Sequence, residues 1–205
     1  MAKASKQVDY KAAAAAKQAI VESEKLIVAS VTVKAQQRPL TEVKTEALFG
    51  NYGDYQAGRF ENLERNRLRW SAPNLFEFIP KSVRPFAFVR PNGQRVAPAN
   101  FFTDGGSIPR LVGLFNGRLT PWGYGPAYLI HDWEFDLHHC NRTPKSFNAV
   151  RDTLMEALKT LMETGIVTKN VLDFDLIYAG VSSPIAKGLW NTMPPTCPIP
   201  PAIPE

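Results

Sequence analysis

All three histidines of the chain, His131, His138 and His139, lie within a stretch of nine residues that directly follows a glycine-rich segment. An imidazole titrates near neutral pH, so it can take a proton from water or bind a metal ion through its neutral ring. Asp132 comes directly after His131, and a carboxylate beside an imidazole is a pairing that general acid–base catalysis uses. The chemistry of this stretch therefore depends on which residues accompany His131 in the fold.

Asp152 is predicted to face His131 across a pair of antiparallel helices. A tight turn at residues 141–143 joins the two helices, and the midpoint between positions 131 and 152 lies in this turn. Because an α-helix rises by about 1.5 Å per residue, both residues should lie at the same height. Asp152 would then orient one ring nitrogen and leave the other to act as a general base. The same pair can instead be a buried polar clasp that fixes the register of the helices.

A second polar group precedes His131 and is predicted to form a ligand-binding loop. Its members are Asp104, Gly105, Gly106, Ser107 and Arg110. Asp132 would bind a divalent cation, calcium or zinc, with backbone carbonyls of the glycine pair close by. Arg110 would contact an anionic ligand. A triad of Ser107, His131 and Asp152 is a further alternative, although GGSIP lacks the strand-to-helix turn of a nucleophile elbow.

The same loop also has a structural interpretation. Ser107 can cap a short helix over residues 108–115, and Asp104 suits a turn that reverses the chain. Arg110 can form an ion pair with Asp104 or Asp132 rather than with a ligand. On this interpretation the loop positions a helix and binds nothing.

His138 and His139 are predicted to lie at the C-terminus of the helix that carries His131. There a partly protonated imidazole complements the helix dipole. With Cys140 they also form a possible set of zinc ligands, but side chains of adjacent residues diverge around a helix and a fourth ligand is missing.

Residues 31–100 are predicted to form a small antiparallel β-sheet. Short runs rich in aromatic and β-branched residues, such as NRLRWSA and NLFEFI, are separated by polar residues and prolines. Asn92-Gly93 lies between two apolar runs and predicts a hairpin, because such a pair accepts the positive φ of a tight turn. Basic and aromatic residues interleave in RLRWSAPNLF, which a strand with one solvent-facing side explains better than a nucleic-acid interface.

Beyond residue 107 the apolar pattern becomes helical. Proline, glycine and capping residues predict helices over 125–140, 143–164, 168–181 and 183–191. Thr143-Pro144 is interpreted as the cap and first residue of the second of these, and Gly165 as its end. The fold class is therefore α+β, a small sheet followed by a helical half that contains an antiparallel helix pair.

The 205 residues fit one domain with two extensions. Residues 1–40 include five consecutive alanines and are predicted as a helical arm, and residues 41–192 as a single α+β domain. Residues 193–205 contain six prolines and are predicted as a polyproline-like tail. The arm and the tail would contact neighbouring subunits or further copies of the chain.

Charge and hydropathy narrow the partners. The net charge of +5 is mildly basic and no run of Lys and Arg forms a stripe, so a specific nucleic-acid partner is not expected. No segment reaches the roughly 18 apolar residues of a transmembrane helix. The N-terminal residues lack the apolar core of a signal peptide, and two cysteines make no disulfide framework. Synthesis in the cytoplasm as a soluble product is expected.

TDGGSIPR at residues 103–110 is followed by YLIHDWEF, by RDTLMEALKTLMETGI and by FDLIYAGV. Taken in this order, over residues 85–190, these segments resemble the phage and prophage proteins catalogued as domain of unknown function 1353. The chain departs from the usual pattern at Asn100, at the glycine pair 105–106 and at Phe135. The resemblance implies a phage origin and brings no established reaction with it.

The predicted arrangement of His131, Asp132 and Asp152 is also similar to that of secreted calcium-dependent phospholipases. That similarity implies that His131 activates water, Asp132 binds calcium and Asp152 orients the histidine. Two functions follow as expectations. The first is a bacteriophage virion or assembly protein, a tail, neck or capsid-associated component made in the host cytoplasm and located in the virion. The second is a phage-encoded small hydrolase, with or without a bound divalent cation, that acts on lipid ester or peptidoglycan of the host envelope.

Overall fold

A computed structural model describes Ala15 and residues 50–73, 75–105 and 123–192 of the 205-residue chain. Ala15, in the predicted arm, is helical. The remainder of the arm, the predicted helix at 108–115 and the proline-rich tail lie outside the described residues.

The strands of the described residues form two antiparallel three-stranded sheets, in the orders β1-β4-β5 and β2-β3-β6. They are β1 Arg59–Glu61, β2 Leu68–Ala72, β3 Leu75–Phe78, β4 Ala87–Val89, β5 Arg95–Val96 and β6 Phe101–Thr103. The α+β class is confirmed, but the prediction of a single sheet is wrong. Pro80 and Pro85 flank the segment between β3 and β4 and have no N–H to donate, so the ladder ends there and β4 pairs with β1 instead.

The hairpin predicted at Asn92-Gly93 is confirmed. The N–H of Gly93 donates to the carbonyl of Arg90 at 2.9 Å, which closes a four-residue turn with Pro91 at its first central position. Gly93 has a φ of 85°, a conformation that side chains with a Cβ rarely adopt. The turn brings Arg95 opposite Val89, so β4 and β5 pair in register.

The helices are α1 Gly125–His139, α2 Phe147–Glu163, α3 Val171–Val181 and α4 Pro184–Asn191. Each of the last three begins after a residue whose side-chain oxygen accepts a backbone N–H of the first turn, namely Ser146, Asn170 and Ser183. Gly165 follows the end of α2 with a φ of 71°, in agreement with its predicted role as a helix stop.

The predicted start of α2 at Thr143-Pro144 is wrong by about one turn. The Thr143 hydroxyl accepts the N–H of Lys145, and the cap is Ser146, whose hydroxyl accepts the N–H of Ala149 at 3.2 Å. Lys145 forms an ion pair with a buried glutamate of α1, which anchors the connecting segment beside that helix. Helix α2 therefore begins at Phe147, after this anchored segment.

Helix α2 lies at the centre of the hydrophobic core. Its buried apolar residues recur every three or four positions, at Val150, Leu154, Leu158 and Leu161, which gives the helix one continuous apolar face. The core that this face joins contains side chains of both sheets and of the helices α1 and α3, including Phe78, Phe88, Phe101, Tyr128, Ile130 and Phe174.

Contacts between side chains and backbone groups join both sheets to the helices. The rings of Phe101 in β6 and Trp133 in α1 are 5.5 Å apart. Just before β1, the N–H of Gly58 donates to the Thr160 hydroxyl of α2 at 2.8 Å. Each sheet is therefore held against a different helix of the α1–α2 pair.

Substitution of Gly58 by alanine should strongly destabilise this arrangement. A Cβ at this position would lie 2.2 Å from the carbonyl oxygen of Val89, which is a backbone atom that cannot rotate away. We expect Gly58→Ala to lower the free energy of unfolding by about 3 kcal/mol, measured by chemical denaturation. Gly53→Ala is the matched control, because no atom lies within 4 Å of its Cβ position. Equal stability of the two variants would contradict the close approach of Gly58 to β4.

Candidate functional site

Thr103, the last residue of β6, joins its sheet to helix α1. Its hydroxyl donates to Oδ2 of Asp132 at 2.5 Å and accepts the backbone N–H of Gly105 at 3.0 Å. The single donor of the hydroxyl and one of its acceptor positions are thus used. Thr103 is 1% exposed, so the bond to Asp132 is shielded from water. The structure therefore brings Asp132 to the predicted loop.

The first part of that loop is a chain reversal. Gly105 has a φ of 85°, which agrees with the structural interpretation of the glycine pair as a turn. Asp104 is half-buried beside it. The other predicted ligand-binding residues, Gly106, Ser107 and Arg110, lie outside the described residues, so their predicted roles stay predictions.

His131 lies on α1 with its side chain 15% exposed. Its Nδ1 is 3.7 Å from Oδ1 of Asp132, which is too long for a hydrogen bond but close enough for electrostatic attraction when the ring is protonated. The ring also contacts Phe135, with ring centres 4.7 Å apart. Among the described residues, Asp132 is therefore the carboxylate within ion-pair distance of His131, while its shorter bond is to Thr103.

The predicted hydrogen bond between His131 and Asp152 is wrong. Among the described residues no hydrogen bond or ion pair joins them, and Oδ1 of Asp152 accepts from other groups. The Tyr55 hydroxyl donates to it at 3.0 Å, and Nη2 of Arg151 donates at 2.8 Å. Both the catalytic pair and the polar clasp proposed for His131 and Asp152 are thereby lost.

The reason lies in rotation around the helix axis. Equal height does not make two side chains face each other, because successive residues of a helix differ in direction by about 100°. Thr153 is fully buried, whereas the side chain of Asp152 is 35% exposed. Helix α2 therefore turns position 153 towards the interior, and Asp152 points to Tyr55 instead.

Glu134 is a buried acid that the sequence analysis did not single out. Its side chain is 1% exposed, and its Oε1 forms an ion pair with Nζ of Lys145. Its Oε2 has no hydrogen-bond partner among the described residues. Burial raises the pKa of Glu134, and the neighbouring Lys145, Thr153 and His131 oppose this rise. The ion pair ties the residue before the α2 cap to the middle of α1.

Asp132 was predicted to bind a divalent cation. Within residues 50–73, 75–105 and 123–192, no group of three or more His, Cys, Asp or Glu side chains is arranged to hold a metal ion. A calcium or zinc ion at Asp132 would thus need ligands from other parts of the chain, and the cation remains a prediction.

His138 and His139 fasten helix α4. Nε2 of His138 lies 3.0 Å from the carbonyl of Trp190, and Nε2 of His139 lies 3.2 Å from that of Leu189. A carbonyl only accepts, so both Nε2 atoms carry the proton. The two carbonyls belong to the last turn of α4, where carbonyls lack the usual partners further along the helix. That of Leu189 also accepts the N–H of Thr192 at 3.1 Å. The His138 ring also stacks on Trp190 with centres 3.5 Å apart.

These contacts correct two interpretations. Burial lowers the pKa of His138, so it is a neutral donor to α4 rather than a protonated residue that complements the dipole of α1. A zinc site of His138, His139 and Cys140 is also contradicted, because the Nε2 atoms bind carbonyls and Cys140 is disulfide-bonded. The chain has one other cysteine, Cys197, which lies outside the described residues.

Comparison with protein-family models, with curated proteins and with solved structures found no match. Among the described residues, no helix is both long enough and apolar enough to cross a bilayer. The likeness of TDGGSIPR and HD to the phage family therefore stays a prediction from the motifs.

The contact that replaces the predicted clasp can be tested at Tyr55. Tyr55→Phe removes the hydroxyl that donates to Asp152, and Asp152 is exposed enough for water to replace part of the bond. We expect the free energy of unfolding to fall by about 1 kcal/mol. Tyr52→Phe is the control, since the bond from its hydroxyl to Glu163 is exposed to solvent, whereas the bond from Tyr55 to Asp152 is partly buried. A larger effect at Tyr52 would contradict this assignment.

The neutral state of His138 predicts a pH dependence. Because the folded-state pKa lies below the ordinary value of 6.5, the unfolded chain takes up a proton first as the pH falls. The stability that His138 contributes should therefore be full above pH 6.5 and decrease as the pH falls below it. His138→Gln, which can still donate to the Trp190 carbonyl, should weaken this decrease. Unfolding of both proteins between about pH 5 and 7.5 checks it, and a parallel pH response would contradict it.

Proposed function

We propose that the chain is a structural or assembly component of a bacteriophage particle. The proposal rests on one observation: polar side chains of the histidine stretch form hydrogen bonds that join elements of the fold. Asp132 holds the end of β6 through Thr103. The two other histidines of the stretch hold the end of α4. The phage origin itself is supported by the motif resemblance over residues 85–190.

In this proposal the described residues act as a rigid module. Residues 1–40 and 193–205 would make the contacts with other structural proteins of the particle or with further copies of the chain. Support for their role comes from composition, since five consecutive alanines favour a helix and six prolines favour an extended tail. The protein would be made in the host cytoplasm and would reside in the virion.

A small hydrolase remains the second candidate because of one observation at His131. Asp132 lies 3.7 Å from its Nδ1, and Nε2 has no hydrogen-bond partner among the described residues. An imidazole with a carboxylate on one side and a free nitrogen on the other can act as a general base. In that case Asp132 rather than Asp152 would orient the ring, and the substrate would be a lipid ester or peptidoglycan of the host envelope.

The surroundings of His131 favour the structural candidate. Its ring lies against Phe135, and the Phe135 ring packs on Trp190 with centres 5.0 Å apart. His131 thus belongs to a row of aromatic rings between α1 and α4. A ring held in this way contributes to the contact between the helices whether or not it transfers protons.

Particles of the phage or prophage that encodes the chain provide the test. We expect the protein to co-purify with particles through a density gradient, as detected by mass spectrometry. A stop codon in its gene should remove intact particles, because the proposal makes it a building element. His131→Gln should leave particle number and infectivity close to wild type, and His138→Gln is the matched histidine control.

Two results would reject the proposal. One is a normal yield of infectious particles without the protein. The other is a normal number of His131→Gln particles that have lost infectivity or host lysis while His138→Gln particles keep both. The second result would favour the hydrolase.

A further inference from the structure

Three large apolar side chains near β2 and β3 are exposed. Leu68 and Trp70 of β2 are 40% and 68% exposed, and Val83, in the loop after β3, is 69% exposed. The prediction of one solvent-facing side for β2 is therefore wrong. Leu68, Arg69 and Trp70 are consecutive and all exposed, although successive side chains of a strand point to opposite faces. Burying such side chains in a non-aqueous phase is favourable, so three of them on β2 and on the loop after β3 form a candidate binding surface.

Unpaired cations lie among these side chains. Arg67, Lys81 and Arg84 are exposed, and none forms an ion pair within the described part of the chain. Residues 62–86 contain five basic and two acidic residues, a net charge of +3 against +5 for the whole chain. One of the two acids, Glu77, is buried and pairs with Arg69. The exposed part of this segment is thus predominantly basic.

Hydrogen bonds place the start of β2 beside the loop that follows β3. The N–H of Ile79 donates to the carbonyl of Arg67 at 3.0 Å, and Nδ2 of Asn62 donates to the carbonyl of Pro85 at 2.9 Å. The loop that carries Lys81, Val83 and Arg84 therefore runs next to the start of β2. Trp70 is held on one side by Phe76, with ring centres 4.1 Å apart. We call Arg67, Leu68, Trp70, Lys81, Val83 and Arg84 the basic–apolar surface.

We propose that the basic–apolar surface binds the surface of an anionic lipid bilayer. Its cations would attract anionic headgroups, and its apolar side chains would enter the headgroup region. Tryptophan is suited to this boundary because its ring is apolar and its N–H can remain hydrated. This inference is independent of the proposed role in a particle.

Charge and side-chain chemistry favour a bilayer over two other occupants. A second copy of the chain would bring two surfaces of the same positive sign together, which is unfavourable. Single-stranded nucleic acid would use the cations and could stack a base on Trp70, but stacking gives nothing to Leu68 or Val83. A bilayer stabilises all six side chains of the surface.

Sedimentation with lipid vesicles tests the proposal on the full chain. We expect binding to vesicles of equimolar phosphatidylcholine and phosphatidylglycerol, and weaker binding to phosphatidylcholine alone. Trp70→Ala should weaken binding to the mixed vesicles by about tenfold. The triple change Arg67→Gln, Lys81→Gln and Arg84→Gln should weaken it on the order of a hundredfold and remove the preference for anionic lipid.

Matched controls separate the surface from general effects. Ile166→Ala removes a side chain that is 47% exposed elsewhere, and Lys187→Gln removes an exposed cation of α4. Both should bind like wild type, and thermal unfolding should show that every variant is folded. Equal binding to both vesicle types, or unchanged binding by Trp70→Ala, would overturn the proposal. Release of the protein from the vesicles by oligothymidylate would also overturn it, as would self-association of the protein that Trp70→Ala abolishes.

Discussion

The hydrogen bond from the Thr103 hydroxyl to Asp132 is the interaction on which the geometry of the histidine region depends. At 2.5 Å it joins the buried last residue of β6 to the middle of α1. The same hydroxyl accepts the N–H of Gly105, so the turn that follows β6 is fixed by the bond as well. A charged acceptor makes such a bond stronger than one between neutral groups. Thr103 of TDGGSIPR and Asp132 of the HD pair thus form one contact between a sheet and a helix.

The remaining polar groups of the helical half act in the same way. Glu134 and Lys145 connect α1 to the segment before α2, and the Tyr55 hydroxyl connects the segment before β1 to Asp152 of α2. His138 and His139 satisfy carbonyls at the end of α4. Leaving a buried polar group without a partner costs about 1–3 kcal/mol, so each of these contacts also restricts how the elements can pack. Several polar residues whose types suggest catalysis or metal binding thus make contacts between elements of the fold.

Local signals in the sequence predicted the elements well, because they act over a few residues. Proline, glycine and capping residues located α1, α3 and α4, and Asn92-Gly93 located a turn. The predicted start of α2 is too early because Lys145, just before the helix, forms an ion pair with Glu134, eleven positions earlier in the chain. The division into two sheets also depends on which strands pair over long distances.

The candidate site was predictable only in part. The sequence predicted that Asp132 lies near the loop at Asp104 and Gly105. It did not indicate that Thr103, the first residue of TDGGSIPR, joins them. The His131–Asp152 pair failed because sequence separation gives the height of a residue along a helix, whereas tertiary contacts decide the helix's rotation. Glu134 carried a signal that was overlooked, its position three residues after His131 on the same helix.

A double-mutant cycle between Thr103 and Asp132 measures whether their hydrogen bond joins β6 to α1. Thr103→Val, Asp132→Ala and the double variant would be compared with wild type by chemical denaturation. We expect the two substitutions to be coupled by about 1–2 kcal/mol, because either one removes the same bond. Additive effects of the two substitutions would show that this bond does not join β6 to α1, and would contradict the account.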